Sequence, residues 1–275
     1  MESPRIFIST SNFKSRYKNS LDLILKSSII EYPNLEIASG HVTSANSYKL
    51  IRDLIKQGKN ILFHNYSFRE ENNLMINLCE ADSEKRIKII SYIKEMILYT
   101  KEIGENYYSI HGGFYPTKLD ERSKLEYNSL FINGLSEVIE FASNNGIYVG
   151  VENHVVEKHN VDKLFLYNEE QFEEMFLNVE NPYLMLHLDL GHLKVSSETF
   201  HFNPIDFIDK FSDRIITIHI HENNSVIDKH DKFNNNSYFL PHLKKLKYLK
   251  NIVIETWDQS DEDINGMVRS IENVL

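Results

Sequence analysis

The stretch IYVGVENH, residues 147–154, alternates apolar residues with other residues. Isoleucine and valine occupy positions 147, 149 and 151, and Glu152 belongs to the set of residues between them. Because successive side chains of a β-strand point to opposite faces, this period of two predicts a strand with one apolar face. That face suits packing against helices, which directs Glu152 towards the opposite, inner face.

Seven further short runs of β-branched or aromatic residues occur along the chain. With the first they give eight predicted strands, at residues 5–10, 34–40, 60–67, 107–113, 147–154, 183–193, 214–223 and 251–258. On the seventh, the isoleucines at positions 216, 218 and 220 are expected to face outwards, and His219 and His221 inwards.

Between the strands lie segments with the periodicity of amphipathic helices, two of which end at a glycine suited to a C-cap. The helices placed in this way are residues 83–104, 121–146, 168–179, 204–212, 236–247 and 260–275. Strict alternation of eight strands with eight helices predicts a parallel sheet closed into a (β/α)8 or TIM barrel. We expect residues 1–275 to form a single domain, because their length suits one α/β barrel and no linker-like segment interrupts them.

The composition is ordinary for a globular protein with a sizeable core, with 41% hydrophobic and 25% charged residues. The net charge of −10 disfavours a protein whose main task is to grip phosphate backbones. No apolar run approaches the about 20 residues of a membrane span, and the N-terminus lacks the features of a secretory signal. Because Cys79 is the single cysteine, an internal disulfide is excluded, and we expect a cytoplasmic protein without a membrane partner.

Potential metal ligands stand at the ends of the third to eighth strands, and the active site of such a barrel lies at the carboxyl ends of its strands. They are His64, His111, Glu152, Asp189, His192, His219 and Glu255, together with Asp228 and His230 in the loop after the seventh strand. Carboxylates brought so close together would repel one another unless cations neutralised them. Histidine with aspartate and glutamate, without cysteine, suits zinc, manganese, cobalt or iron(II), and we expect zinc or manganese, one to three ions per chain.

The motifs IHGG, VENH, LDLGH, HIHEN, DKH and IET, in this order, resemble the xylose isomerase-like barrel superfamily. This superfamily includes sugar isomerases and epimerases as well as the endonuclease IV family. The resemblance runs from about His64 to Glu255. Its short motifs gain their specificity from order and spacing.

The isomerase and epimerase branch implies one metal ion held by Glu152, Asp189, His219 and Glu255. In that branch Glu152 and Glu255 resemble the catalytic pair that exchanges a proton with a substrate carbon through an enediolate. The endonuclease IV branch implies three ions. Its ligand sets correspond here to His64, His111 and Glu152, to Glu152, Asp189, His219 and Glu255, and to His192, Asp228 and His230.

The substrate-facing loops depart from the nuclease branch. Where that branch has a compact HxxYLINL, this chain reads HNYSFREENNLMINL, a longer and acidic loop at residues 64–78. We therefore expect an isomerase or epimerase acting on a small sugar-like or sugar-phosphate-like substrate. The alternative is a phosphoester hydrolase that resembles endonuclease IV, and a nucleic acid partner is disfavoured.

Further polar and aromatic residues accompany the predicted ligands. His154, His221 and Trp257 are candidates for contact with the substrate. His187 is expected to make a hydrogen bond in the core, and Glu36 is expected to face inwards and pair with a basic or polar group.

Overall fold

A computed structural model of the chain describes residues 3–65 and 75–275. Its strands are β1 (Arg5–Ser9), β2 (Asn34–Ile37), β3 (Asn60–His64), β4 (Tyr107–His111), β5 (Tyr148–Glu152), β6 (Leu184–Asp189), β7 (Ile215–Ile220) and β8 (Asn251–Ile254). Each strand pairs in parallel with the next, and β8 pairs with β1. The predicted (β/α)8 barrel is thereby confirmed. The predicted end of the third strand at Ser67 lies outside the described residues, as does most of the acidic loop that follows.

The α-helices surround this barrel. They are α1 (Leu21–Ile24), α2 (Ala45–Lys56), α3 (Ser83–Glu102), α4 (Glu121–Asn145), α5 (Glu169–Asn178), α6 (Leu190–Phe200), α7 (Pro204–Lys210) and α8 (Asp261–Glu272). Short 3-10 helices occur at Thr10–Phe13, Ser28–Glu31 and Leu240–Lys245. In the described part of the chain no helix is long and apolar enough to cross a membrane.

The predicted strict alternation is wrong around β7. Two α-helices follow β6, whereas β7 is followed by the 3-10 helix Leu240–Lys245 in place of the helix predicted at residues 236–247. Asparagines 234 to 236 form turns, with the Asn234 side chain accepting a hydrogen bond from the backbone N–H of Asn236. Pro241 then lacks the N–H that a continuing α-helix would use.

The prediction that the sixth strand reaches residue 193 is also wrong, because the strand ends at Asp189. The Asp189 carboxylate accepts a hydrogen bond from the backbone N–H of His192 at 2.7 Å and so caps α6. This is ordinary N-cap chemistry. His192 therefore lies in the first turn of a helix, still at the carboxyl end of β6.

A register shift between β6 and β7 corrects the facing of Ile216. Ile216 was expected to face outwards, but it packs inside the barrel, whereas Ile218 and Ile220 join the outer core as predicted. The shift places one extra residue in β7, which exchanges the two faces of the strand at that point. His219, beyond the shift, keeps its predicted inward position.

Two apolar layers enclose the strands. The larger lies between the strands and the helices, and a smaller one fills the lower half of the barrel. The inner layer consists of Phe7, Leu62, Tyr107, Met185, Ile216 and Val253, with Tyr148 packed against it. Nearer the carboxyl ends of the strands, the inward-facing residues are polar.

Gly150 on β5 provides a test of this inner packing. A Cβ at Gly150 would lie 2.2 Å from Oη of Tyr107, a residue that is buried inside the barrel. We expect Gly150→Ala to lower the free energy of unfolding in urea by about 1–3 kcal/mol, the usual cost of overpacking. The matched control is Gly266→Ala on the outer helix α8, where the added Cβ has room. Because alanine favours a helix more than glycine does, this substitution should raise the free energy of unfolding by up to about 1 kcal/mol. Equal effects of the two substitutions would contradict this packing.

Candidate metal centre

The first group of ligand-type side chains joins β3, β4 and β5 at the barrel mouth. Nε2 of His64 lies 2.8 Å from Nε2 of His111, and the two nitrogens lie 3.2 and 3.1 Å from Oε2 of Glu152. The register of the sheet places His111 directly beside Glu152. These three atoms lie close enough together to bind one ion between them.

The second group lies on β5 to β8. Nδ1 of His219 is 2.9 Å from Oε2 of Glu255, 3.6 Å from Oε1 of Glu152 and 3.7 Å from Oδ2 of Asp189. Asp189 and His219 are register partners, which explains why their side chains share one face. Glu152 thus turns its two carboxylate oxygens to two different groups.

The third group lies between α6 and the loop after β7. Oδ2 of Asp228 is 3.0 Å from Nε2 of His230 and 3.3 Å from Nε2 of His192. His221 adjoins them, with Nε2 3.7 Å from Oδ1 of Asp228 and 3.0 Å from Oδ1 of Asp189. His221 is fully buried, so this geometry favours a ligand-type or ligand-orienting role over the expected substrate contact.

Each of four candidate ligand histidines has its second ring nitrogen held by another group. Nδ1 of His192 donates to the carbonyl oxygen of Asn153 at 2.9 Å, and Nδ1 of His230 donates to that of Glu255 at 2.7 Å. A neutral imidazole that donates from Nδ1 carries its lone pair on Nε2, the atom that faces the third group. His64 uses Ser109 in the same way, at 2.9 Å.

Glu36 provides the fourth such contact. Its Oε2 lies 2.8 Å from Nε2 of His219, in a pair that is almost completely buried. The expected inward pairing of Glu36 is confirmed. A carboxylate on the far nitrogen of a metal-binding histidine fixes the ring and makes it a stronger ligand.

The donor atoms have the spacing that a divalent ion needs. Ligands about 2.0–2.1 Å from a tetrahedral zinc ion lie about 3.3 Å from one another, close to the separations above. Three of the donor atoms, Oε2 of Glu152, Nδ1 of His219 and Oδ1 of Asp228, are buried without a hydrogen-bond partner in the described part of the chain. Divalent ions would satisfy these atoms, so the residues fit the metals expected from the sequence.

Electrostatics indicates the same need for positive charge. Burial alone would raise the pKa of the Glu152 carboxyl, but the His64 and His111 rings outweigh it and hold this pKa well below its usual value. Burial alone would lower the pKa of His219, but Glu36 and Glu255 raise it well above the ordinary value. The Glu152 carboxyl thus stays ionised and would stabilise a cation beside it.

The accessible rim of the centre carries aromatic residues. The Trp257 ring stacks on His230 at 4.3 Å between centroids and leaves 46% of the residue exposed. His154 stands edge-on to His111, and burial lowers its pKa to about 4, which keeps the ring neutral. Both positions remain compatible with contact to a substrate.

Asn153 supports the centre without having been predicted from the sequence, whereas His187 was predicted. The Asn153 side chain accepts a hydrogen bond from the backbone N–H of Asp189 and donates to its carbonyl, at 2.7 and 3.0 Å. The asparagine in VENH was the signal, because an amide is able to satisfy both backbone groups of a neighbouring strand end. His187 is fully buried with Nδ1 2.9 Å from Tyr107 Oη, so its predicted core hydrogen bond is confirmed.

The model of the xylose isomerase-like TIM barrel family matches residues 32–274. The chain belongs to this family. Two uncharacterized proteins of Methanocaldococcus jannaschii are similar in sequence. MJ1311 is 26% identical over 176 residues, or 62% of this chain and 57% of MJ1311. MJ1614 is 25% identical over 205 residues, or 73% of this chain and 74% of MJ1614.

Solved structures of the same fold include proteins that are named for different activities. A D-tagatose 3-epimerase-like protein superposes with a TM-score of 0.79 and 22% identity, covering 98% of both chains. An AP endonuclease, family 2, from Brucella melitensis has a TM-score of 0.67 and 15% identity, covering 97% of this chain and 98% of its own. The IOLI protein, solved with a zinc atom, has a TM-score of 0.67 and 16% identity over 98% and 97%. At these identities the likeness concerns the fold.

The Glu36–His219 contact generates a prediction about metal affinity. We expect Glu36→Gln to weaken the binding of zinc or manganese about 10- to 100-fold, because the His219 ring loses its charged partner. Competition with a chromophoric chelator measures this affinity. The matched control is Glu105→Gln, which removes a carboxylate paired with Arg5 away from the ligand groups and should leave metal affinity unchanged. Wild-type affinity in Glu36→Gln would contradict the assignment.

Proposed function

We propose that this protein is a metal-dependent phosphoester hydrolase whose centre holds three divalent ions. The observation that carries this proposal is the position of Glu152, because one of its oxygens faces His64 and His111 and the other faces His219. A carboxylate placed in this way suits a bridge between two ions. The first ion would be held by His64, His111 and Glu152, the second by Glu152, Asp189, His219 and Glu255, and the third by His192, Asp228 and His230.

Charge balance supports three ions. Five carboxylates lie in or directly behind the centre, those of Glu36, Glu152, Asp189, Asp228 and Glu255. With neutral imidazoles, one or two divalent ions leave this set negative, whereas three make it positive. A positive centre attracts a phosphoester, and a negative one repels it.

Divalent ions at such a centre supply the charge neutralisation and water activation that phosphoester hydrolysis requires. The residues of the chain position the reactants. Glu152, Asp189 and His219 are buried, whereas the His111 side chain is 33% exposed and that of Glu255 is 12% exposed. A substrate would therefore approach over His111 and Glu255, with the exposed face of Trp257 available to pack against a sugar ring.

We propose a small sugar-phosphate-like substrate rather than DNA. Two lysines at the mouth are already paired, Lys194 with Glu222 and Lys232 with Asp263. With a net charge of −10, the chain offers little attraction for a long phosphate backbone. Solved structures of this fold include an L-ribulose 3-epimerase and a D-tagatose 3-epimerase-like protein, both named for sugars.

A sugar epimerase with a single ion is the second candidate. It is favoured by Glu255, whose side chain is the more accessible of the two glutamates and lies beside the second group. In that reaction Glu152 and Glu255 would exchange protons with a substrate carbon. The position of Glu152 opposes this role, because both of its oxygens face histidines and neither is directed to an open space.

Asp228 separates the two candidates, because only the three-ion centre needs it. We expect the wild type to hold three ions and to hydrolyse sugar phosphates. Asp228→Asn should hold two and lose about 100-fold or more of kcat/KM, since a ligand of the third ion is removed. Elemental analysis of metal-saturated protein and phosphate-release kinetics measure these quantities.

The matched control for this experiment is Asp231→Asn. Asp231 lies in the same loop, is exposed, and is linked to Glu222 through backbone hydrogen bonds, so its substitution should change neither quantity. One ion per chain, together with ketose epimerisation that survives Asp228→Asn, would overturn the hydrolase proposal in favour of the epimerase.

A further inference from the structure

Lys14 lies beside the metal centre, in the loop after β1, and is not among its ligands. The loop is anchored to the end of β8 by Asn12, whose side chain donates to the carbonyl of Ile254 at 2.8 Å and accepts from the N–H of Thr256 at 3.1 Å. Lys14, two residues further along, is thereby held next to the segment that carries Glu255.

The same loop is anchored to the end of β2. The Thr10 hydroxyl accepts a hydrogen bond from the N–H of Ala38 at 2.8 Å and lies 2.7 Å from Nε2 of His41. Nζ of Lys14 is 3.8 Å from the position that a Cβ on Gly40 would occupy. Gly40 has a φ of +81°, a left-handed conformation that glycine adopts without strain, so the β2 turn passes close beneath this ammonium group.

Lys14 differs from three other basic residues near the mouth. Lys194 and Lys232 have acidic partners, and Arg16 donates to the carbonyl of Gln259. No described residue forms a hydrogen bond or a salt bridge with Nζ of Lys14, although the side chain is partly buried. A partly buried ammonium without a direct partner is costly unless a ligand uses it.

Lys14 also carries the positive charge on the side of the centre formed by the ends of β1, β2 and β8. Burial lowers the pKa of Lys14, and the charges of Glu255 and Glu36 oppose that effect. His41, beside it, stays neutral, because burial and the charge of Lys14 lower its pKa to about 3. If divalent ions compensate the charges of Glu255 and Glu36, these carboxylates no longer balance the charge of the Lys14 ammonium. The ammonium is then available to an anionic ligand.

We propose that Lys14 binds the phosphate group of the substrate on the β1–β2–β8 side of the centre. This inference rests on the proposed phosphoester hydrolase and names the residue that selects for its anionic substrate. A lysine ammonium recognises phosphate as a point charge with three donors. The anchored loop holds the Lys14 ammonium on the side of the centre where a phosphate group would also reach ions held beside Glu255. The site takes a phosphate monoester or inorganic phosphate.

Inorganic phosphate tests the inference without turnover. Isothermal titration calorimetry with the metal-saturated protein should show phosphate binding that Lys14→Gln weakens about tenfold or more, the effect of losing one charge-assisted hydrogen bond. Lys14→Arg, which keeps the charge, should stay within about threefold of the wild type. Lys18→Gln, an exposed lysine of the same loop, serves as the matched control and should bind phosphate as the wild type does.

Two outcomes would overturn the inference. Unchanged phosphate affinity in Lys14→Gln would show that the ammonium does not contact the anion. Loss of bound metal from Lys14→Gln would show instead that Lys14 maintains the structure of the metal centre and does not form a separate phosphate site. Failure of the hydrolase proposal is recognised separately, by one ion per chain in the wild type and no release of phosphate from sugar phosphates.

Discussion

The buried carboxylate of Glu152 is the interaction on which the centre depends. Its side chain is 3% exposed, and its two oxygens face nitrogens of different histidine groups. An ionised carboxylate in such a place requires compensation by cations or by hydrogen bonds. The surrounding residues provide donors that are suited to metal ions, and Asp189, Asp228 and Glu255 extend the same requirement to neighbouring positions. The proposed cluster of ions would compensate all of these carboxylates together.

The barrel explains how so many ligands meet. Parallel strands in register bring His111 beside Glu152 and Asp189 beside His219 without help from loops. Backbone carbonyls and buried side chains then fix the ring orientations, as the contact from His230 to the carbonyl of Glu255 illustrates. Because the groups that accept these contacts belong to strands and their ends, the barrel also fixes the orientation of the histidine rings.

The period of two was sufficient to predict the strands and the inward position of residues such as Glu152, because burial on one face leaves a regular pattern. It failed where local chemistry replaced that pattern. Asp189 capped a helix and removed His192 from the predicted strand, and a register shift turned Ile216 inwards. The position of Lys14 beside the centre could not be predicted from the sequence. It depends on contacts between loops that are far apart in the chain, and such contacts leave no periodic pattern or motif.

Anomalous X-ray scattering from crystals grown with zinc tests whether the centre holds three ions, because it locates each ion among its ligands. We expect three anomalous peaks at the barrel mouth. Two of them should flank the Glu152 carboxylate, and the third should lie among His192, Asp228 and His230. A single peak among Glu152, Asp189, His219 and Glu255, with His64 and His230 bound to no ion, would contradict it.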